Sequence, residues 1–195
     1  PLEVVPPPPA LSALEYRYLS GHVPSLDLSM RGVYGPLQGG PIREFWEAML
    51  ADLDAHRADR LLLAGDFNSG ADGSDSTAPT IPASQYFSRL EAQGYTDLWR
   101  AKHGVDAREH TWHGTAHGYR LDHAFGSATL AASLVACDYD NEVRELGLSD
   151  HSLMMIELAE WDWPREVRLL AMTPITHAAG AMILAVMMRS GTFVM

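Results

Sequence analysis

The stretch that most restricts the fold is Leu61 to Gly70, LLLAGDFNSG, in which four apolar residues run directly into Gly65, Asp66, Phe67 and Asn68. An apolar run this short, bounded by Arg60 and Gly65, predicts a strand buried on both faces, which requires a layer of structure on each side of its sheet. Just upstream, PIREFWEAMLADLDAHR (Pro41 to Arg57) sets Ile42, Phe45, Trp46, Met49, Leu50 and Leu53 at helical spacing. Pro41 suits the first turn of that helix, and Glu44 lies near the positive end of its dipole. Helix followed by buried strand makes α/β the fold class. If the pleat continues past the run, Asp66 and Asn68 share a face while Phe67 turns into apolar packing. A carboxylate and an amide oxygen so placed can share a hard cation and a phosphate. The competing reading of an isolated Asp-x-Asn is an Asx turn that ends a strand.

Around this core the sequence predicts a short strand ending at Tyr34 in RGVYGP, broken by Gly35 and Pro36. Residues 69–82, SGADGSDSTAPTIP, have loop composition, and Ala83 to Gln93 predict a second helix closed by Gly94. Thr111 to His113, Tyr119 to Gly126 and His151 to Leu158 predict further strands. The opening PLEVVPPPPA favours extended polyproline and cannot join a central strand, so it is expected to be a linker or frayed edge. Leu169 to Met188 carry no Asp, Glu, Lys or Arg, yet Thr173, Pro174, Thr176 and His177 interrupt them. The interruptions weigh against a spanning helix and against membrane contact through 169–188, and a docked or disordered tail is expected.

At 195 residues, with 47% hydrophobic and 20% charged residues, the chain is an ordinary globular protein with room for one sizeable core. Its net charge of −11 repels nucleic-acid phosphates and anionic lipid at long range unless a basic patch or divalent cations reverse the field. A phosphate substrate therefore needs a metal. The single cysteine, Cys137, excludes an internal disulfide and a cysteine-rich zinc site, and it suits a reducing compartment such as the cytoplasm.

Asp122 in YRLDHAF lies between Leu121 and Ala124, and a buried carboxylate there needs a partner. His151, in Ser149-Asp150-His151 at the border of SLMMIEL, can move a proton near neutral pH or meet developing phosphate charge; a solvated turn is the alternative. An Asp122 to His151 pair, in which the carboxylate orients the imidazole and stabilises its charged form, is a recurrent catalytic device. His103, His110, His113 and His117 resemble a metal cluster, but without a closely spaced carboxylate they are expected to be solvated loop residues. Trp46, Trp99 and Trp112 are expected in packing, with Trp112 near the active face, and Trp161 and Trp163 at the end of the sheet. Arg100, Arg108 and Arg120 form either a phosphate-attracting patch or plain solvated surface.

Taken in order, GDFN, YRLDHAFGS and LSDHSLMMIEL resemble the endonuclease/exonuclease/phosphatase superfamily, over about Arg31 to Glu160. The G-Y-x-D-x-W-R stretch at Gly94 to Arg100 and Thr111-Trp112 before the RLDH strand resemble the bacterial exonuclease III-like members. The resemblance implies a four-layer α-β-β-α sandwich with mixed sheets and Mg²⁺-dependent cleavage of phosphoesters, with Mn²⁺ as the alternative ion. It implies that Asp66 positions or deprotonates the attacking water and that Asn68 holds the scissile phosphate or the metal. His151 would stabilise the transition state or move a proton, Asp122 would orient His151, Asp150 would help bind metal, and Tyr34 would stand near the phosphate. DNA is the implied partner, through an exonuclease III-like or apurinic-site activity; no protein partner is implied.

The sequence departs from the family at its start. The upstream asparagine strand and the glutamate that is the principal Mg²⁺ ligand are not found before Tyr34, Glu3 and Glu15 are poor replacements, and Val33 stands where asparagine usually precedes the tyrosine. The expected organisation is an irregular proline-rich leader or a remnant of a truncated N-terminal part over 1–30, the C-terminal portion of a family domain over 31–160, and an apolar tail over 161–195. The alternatives to a nuclease are a catalytically impaired binding module and a phosphatase of small or lipid phosphoesters.

Overall fold

The computed structural model describes residues 2–159 and the strands Val167–Met172 and Ile183–Met188. The chain opens with β1 (Glu3–Val5), β2 (Tyr18–Val23), β3 (Leu28–Tyr34), α1 (Ile42–Ala55) and β4 (Leu61–Asp66). It continues through α2 (Gln85–Ala92), β5 (Thr96–Asp97), α3 (Leu98–His103), β6 (Trp112–His113), β7 (Gly118–Tyr119) and β8 (Asp122–Gly126). It closes with α4 (Ala128–Ala131), β9 (Leu134–Asp140), α5 (Glu142–Glu145), β10 (Leu153–Leu158), β11 (Val167–Met172) and β12 (Ile183–Met188). A six-stranded mixed sheet runs β1-β2-β3-β4-β8-β5, a four-stranded sheet runs β12-β11-β10-β9, and β6 and β7 make a small hairpin.

The run at Leu61 is the central strand that its composition requires. All six residues of β4 are buried. Leu61 and Leu63 pack into one cluster with Phe45, Trp46 and Phe87 from the helices, while Leu62 and Ala64 face Met154, Ile156 and Leu158 of β10. The order is helix, sheet, sheet, an α/β sandwich, and burial of each such leucine or phenylalanine contributes about 1.5–3 kcal/mol. β4 pairs parallel with β3 across the α1 crossover and antiparallel with β8. These registers put Tyr34, Asp66 and Asp122 in one row across the sheet, so their side chains leave the same face.

Both helices form where the apolar spacing sets them. α2 ends as Gly94 predicts, at φ +91, with Gly94 N donating to Glu91 O and Tyr95 N to Leu90 O. The expected strand 119–126 is interrupted: β7 ends at Tyr119 and β8 starts at Asp122. Between them the Arg120 amide donates to Asp75 O and the Leu121 amide to Thr111 Oγ1, so loop groups replace ladder partners. β9 was not visible in the sequence because its pattern of burial is mixed.

The described residues 2–30 are not an irregular leader. β1 pairs with β2 and β2 with β3, and Leu11 and Tyr18 are fully buried. The prolines fall between β1 and β2, largely in a connection that turns through a 3₁₀ stretch at Pro9–Arg17, where no ladder amide is needed. Of the two expectations for the tail, the described strands meet the docked one: β11 pairs with β10 and β12 with β11, so these parts of the apolar segment extend the second sheet. Among the described residues no helix is long and apolar enough to cross a membrane. Trp161, Trp163 and the interruptions at 173–177 lie outside the described residues.

Candidate active site

β4 delivers Asp66, 3% exposed, to the end of the buried strand. The pleat does not continue. Asn68 takes φ +48, and its amide donates to Asp66 Oδ1 at 2.8 Å, which is an Asx turn. The turn closes the strand and fixes both side chains, so the Asx-turn reading is the one found here. Asn68 Nδ2 donates to Gly35 O at 2.9 Å, and Gly35 N donates to Asp66 O at 2.7 Å. A Cβ on Gly35 would lie 2.0 Å from Phe67 O, so only glycine allows this approach. Phe67 is fully buried and meets His123 edge-on, anchoring the turn from behind.

Tyr34 stands beside Asp66 in the row, half-buried, with the Arg17 guanidinium 5.1 Å from its ring centroid. Arg17 Nη1 also donates to Tyr34 O and Gly35 O. Asp122, fully buried, starts β8 and accepts from His151 Nδ1 through Oδ2 at 2.8 Å. The expected Asp122 to His151 pairing is therefore made, across 29 positions of sequence. His151 is 7% exposed, its amide donates to Ser149 Oγ at 3.1 Å, and Trp112 forms a β-bridge to it.

Asp66, Asp122 and His151 each offer a ligand atom within 4.8 Å of the others. Burial and then the Asp122 charge push Asp66 up to about 7. Burial opposes a charged imidazole at His151, but the Asp122 carboxylate and its hydrogen bond lift the group to about 9. Asp122 Oδ1 is buried and, among the described residues, has no hydrogen-bond partner. Two buried carboxylates beside one imidazole, one of them with an oxygen left without a hydrogen bond, fit a hard divalent cation by charge and donor type. Asp150 is exposed beside His151 and outside this group, though its charge contributes to raising both Asp66 and His151.

The arginines are neither a phosphate patch nor uniformly solvated. Arg120 is 1% exposed and bonds Asp75 and Asp97, and Arg100 bonds Asp75, because two buried carboxylates demand these cations. Only Arg108 is exposed, donating to Asp106 O and Ala107 O. His103 stacks on Trp99 and bonds Cys137 O and Asp138 rather than joining a histidine cluster. Trp46 and Trp99 are buried in the two cores, and the Trp112 ring lies 6.5 Å from that of His151. Sequence reasoning missed Arg17, Thr111 and Tyr139, whose hydrogen bonds to the site end on backbone atoms and leave no spacing to read.

A family model described as the Endonuclease/Exonuclease/phosphatase family matches residues 5–151, beginning well before Arg31. Among solved structures, the 3'-5' exonuclease NExo from Neisseria meningitidis is 25% identical with a TM-score of 0.63, covering 75% of this chain and 65% of that one. NExo from Neisseria, described as a 3' phosphatase and bound to a product DNA hairpin, matches at 24% identity with the same TM-score and coverage. An AP endonuclease from Archaeoglobus fulgidus is 17% identical with a TM-score of 0.57, covering 70% of this chain and 61% of that one. The chain thus spans less than two thirds of the length of these structures. No curated protein matches the sequence.

Proposed function

The chain belongs to the endonuclease/exonuclease/phosphatase family, and from that premise we propose that it serves a divalent-metal-dependent hydrolase of phosphoester bonds in DNA. The observation that carries the reading is the convergence of Asp66, Asp122 and His151, whose ligand atoms lie within 4.8 Å of one another. Solved structures of similar fold include a 3' phosphatase bound to a DNA hairpin and AP endonucleases, which supports DNA and a terminal or abasic position as the target. The chain's single, buried cysteine supports a reducing compartment such as the cytoplasm.

In this reading Asp66, held at the end of β4, takes a proton from the attacking water. Asn68, fixed by the Asx turn and Gly35, orients the phosphate, and Tyr34 flanks it from the adjoining strand. His151, kept protonated by Asp122, sets a positive charge against the charge that develops on phosphate oxygens. Asp66 and Asp122 would hold Mg²⁺ or Mn²⁺, with Asp150 and Asn68 at its margin; the ion supplies Lewis-acid neutralisation of phosphate charge.

The test is cleavage of an abasic-site duplex, a 3'-phosphate duplex and plasmid DNA, with Mg²⁺ and with EDTA. Asp66→Asn keeps the acceptor for the Asn68 amide and removes the base, so the rate should fall by about 10²–10⁴. Cleavage that ignores EDTA, or that survives Asp66→Asn unchanged, overturns the reading.

A further inference from the structure

Asp122 and His151 belong to different sheets. Asp122 opens β8 in the six-stranded sheet, where its register with β4 sets it against Asp66. His151 precedes β10, whose partners are β9 and β11 in the four-stranded sheet. Neither ladder fixes one residue against the other. Thr111, fully buried, touches both sides of this gap. Its Oγ1 accepts from Leu121 N at 3.0 Å and from Asp122 N at 3.2 Å, and its carbonyl accepts from Ser152 N at 2.9 Å. One hydroxyl thereby commits both lone pairs to the backbone that carries Asp122, while the same residue's carbonyl holds the backbone that carries His151.

We propose that Thr111 is a positioning residue that registers Asp122 against His151 across the junction of the two sheets. Tyr139 Oη, donating to Asp122 O at 2.5 Å, is a second tie between the sheets, since β9 sets Tyr139 opposite Met154 of β10, but it holds the Asp122 carbonyl rather than the two N–H groups and meets β10 three residues beyond His151. The effect runs through geometry. Without the Thr111 acceptor two buried N–H groups lose their partner, the start of β8 shifts to rescue them, and the Asp122 carboxylate leaves the imidazole. Only the kinetic consequence rests on the hydrolase reading; the pairing itself does not.

The test compares Thr111→Val, which keeps the shape and removes the acceptor, with Thr111→Ser, which keeps the acceptor. In the nitrogen-labelled chain the His151 Nδ1 proton, held by Asp122, should give a far-downfield resonance, identified by its loss in His151→Gln. The signal is expected in the wild type, in Thr111→Ser and in Tyr139→Phe, and is expected to vanish in a folded Thr111→Val. Should the valine chain not fold, Thr111→Ala takes its place as a smaller perturbation with the same readout. On a phosphoester that the wild type cleaves, Thr111→Val should lower kcat at least about tenfold while KM stays within about twofold, and Thr111→Ser should recover the rate. A signal and rate unchanged in Thr111→Val, or no such signal in the wild type, overturns the proposal. The expected spectra with no phosphoester cleavage by the wild type would instead retain Thr111's role and overturn the hydrolase reading.

Discussion

Arg120 and Asp122 are two residues apart in the chain, yet they belong to buried charge clusters of opposite character. Around Arg120 each carboxylate has a guanidinium: Arg120 Nε bonds Asp75 at 2.7 Å, its Nη2 bonds Asp97 at 2.6 Å, and Arg100 adds a second bond to Asp75. Asp75 also accepts from the Ala71 amide, so the 69–82 loop is tied down from within. Around Asp122 two carboxylates share one imidazole and an oxygen stays orphaned. Burial acts on both clusters, but in the first the neighbouring positive charges and hydrogen bonds override it and hold Asp75 down to about 2. In the second it leads the shift and Asp66 rises to about 7. Balanced burial fixes a loop; unbalanced burial leaves groups poised to take protons or a cation.

The largest way to break that contrast is Arg120→Met. It fills similar space but leaves Asp75 and Asp97 short of a buried cation, and a loss of about 3–5 kcal/mol in denaturant unfolding is expected. A loss below about 1 kcal/mol would mean that water already reaches this cluster, and the two regions would then not differ in kind.

Much of this was legible in the sequence, and the reasons for success and failure are physical. β4 was legible because a strand buried on both faces writes an unbroken apolar run, and α1 because an amphipathic helix writes a 3.6-residue period. Asp122 and His151 were legible as chemistry, since a carboxylate inside apolar text needs a partner and the structure supplies it. Arg120 was misread: a buried guanidinium and a surface one look alike until the loop that carries Asp75 is folded against it. The strands before residue 30 were masked by prolines that occupy only the connection. Thr111 acts through its hydroxyl on backbone amides ten and eleven residues away, a relation that no local period encodes.

A divalent cation should sharpen the contrast next. An ion that binds the folded chain between Asp66 and Asp122 stabilises it by about 2.7 kcal/mol at a hundred times its Kd. Melting with Mg²⁺ against EDTA should show that increment in the wild type and a much smaller one in Asp66→Asn. An equal increment in both chains would place the ion elsewhere and remove the cation from the account of the unbalanced cluster.

The smallest effect is a slope with pH, and the two clusters give it opposite signs. Asp66, raised from 3.8 to about 7, contributes stability that is complete below pH 3.8 and is lost as pH rises through about 7. His151, raised from 6.5 to about 9, contributes stability that is complete below pH 6.5 and is lost as pH rises through about 9. On the balanced side, burial and then the Arg120 charge lower His123 from 6.5 to about 4, so its contribution is complete above pH 6.5 and is lost as pH falls through about 4. Asp75 loses its contribution only as pH falls from 3.8 toward about 2. Each slope reaches about 1.4 kcal/mol per pH unit at most. Between about pH 4 and 6.5 the falling contribution of Asp66 opposes the rising contribution of His123, so the wild-type profile should be nearly flat there. Asp66→Asn deletes only the falling term. Its unfolding free energy, measured across that window in EDTA, should rise with pH more steeply than that of the wild type; equal slopes in the two chains would mean that Asp66 titrates as an ordinary carboxylate and that the charge at the end of β4 is not out of balance.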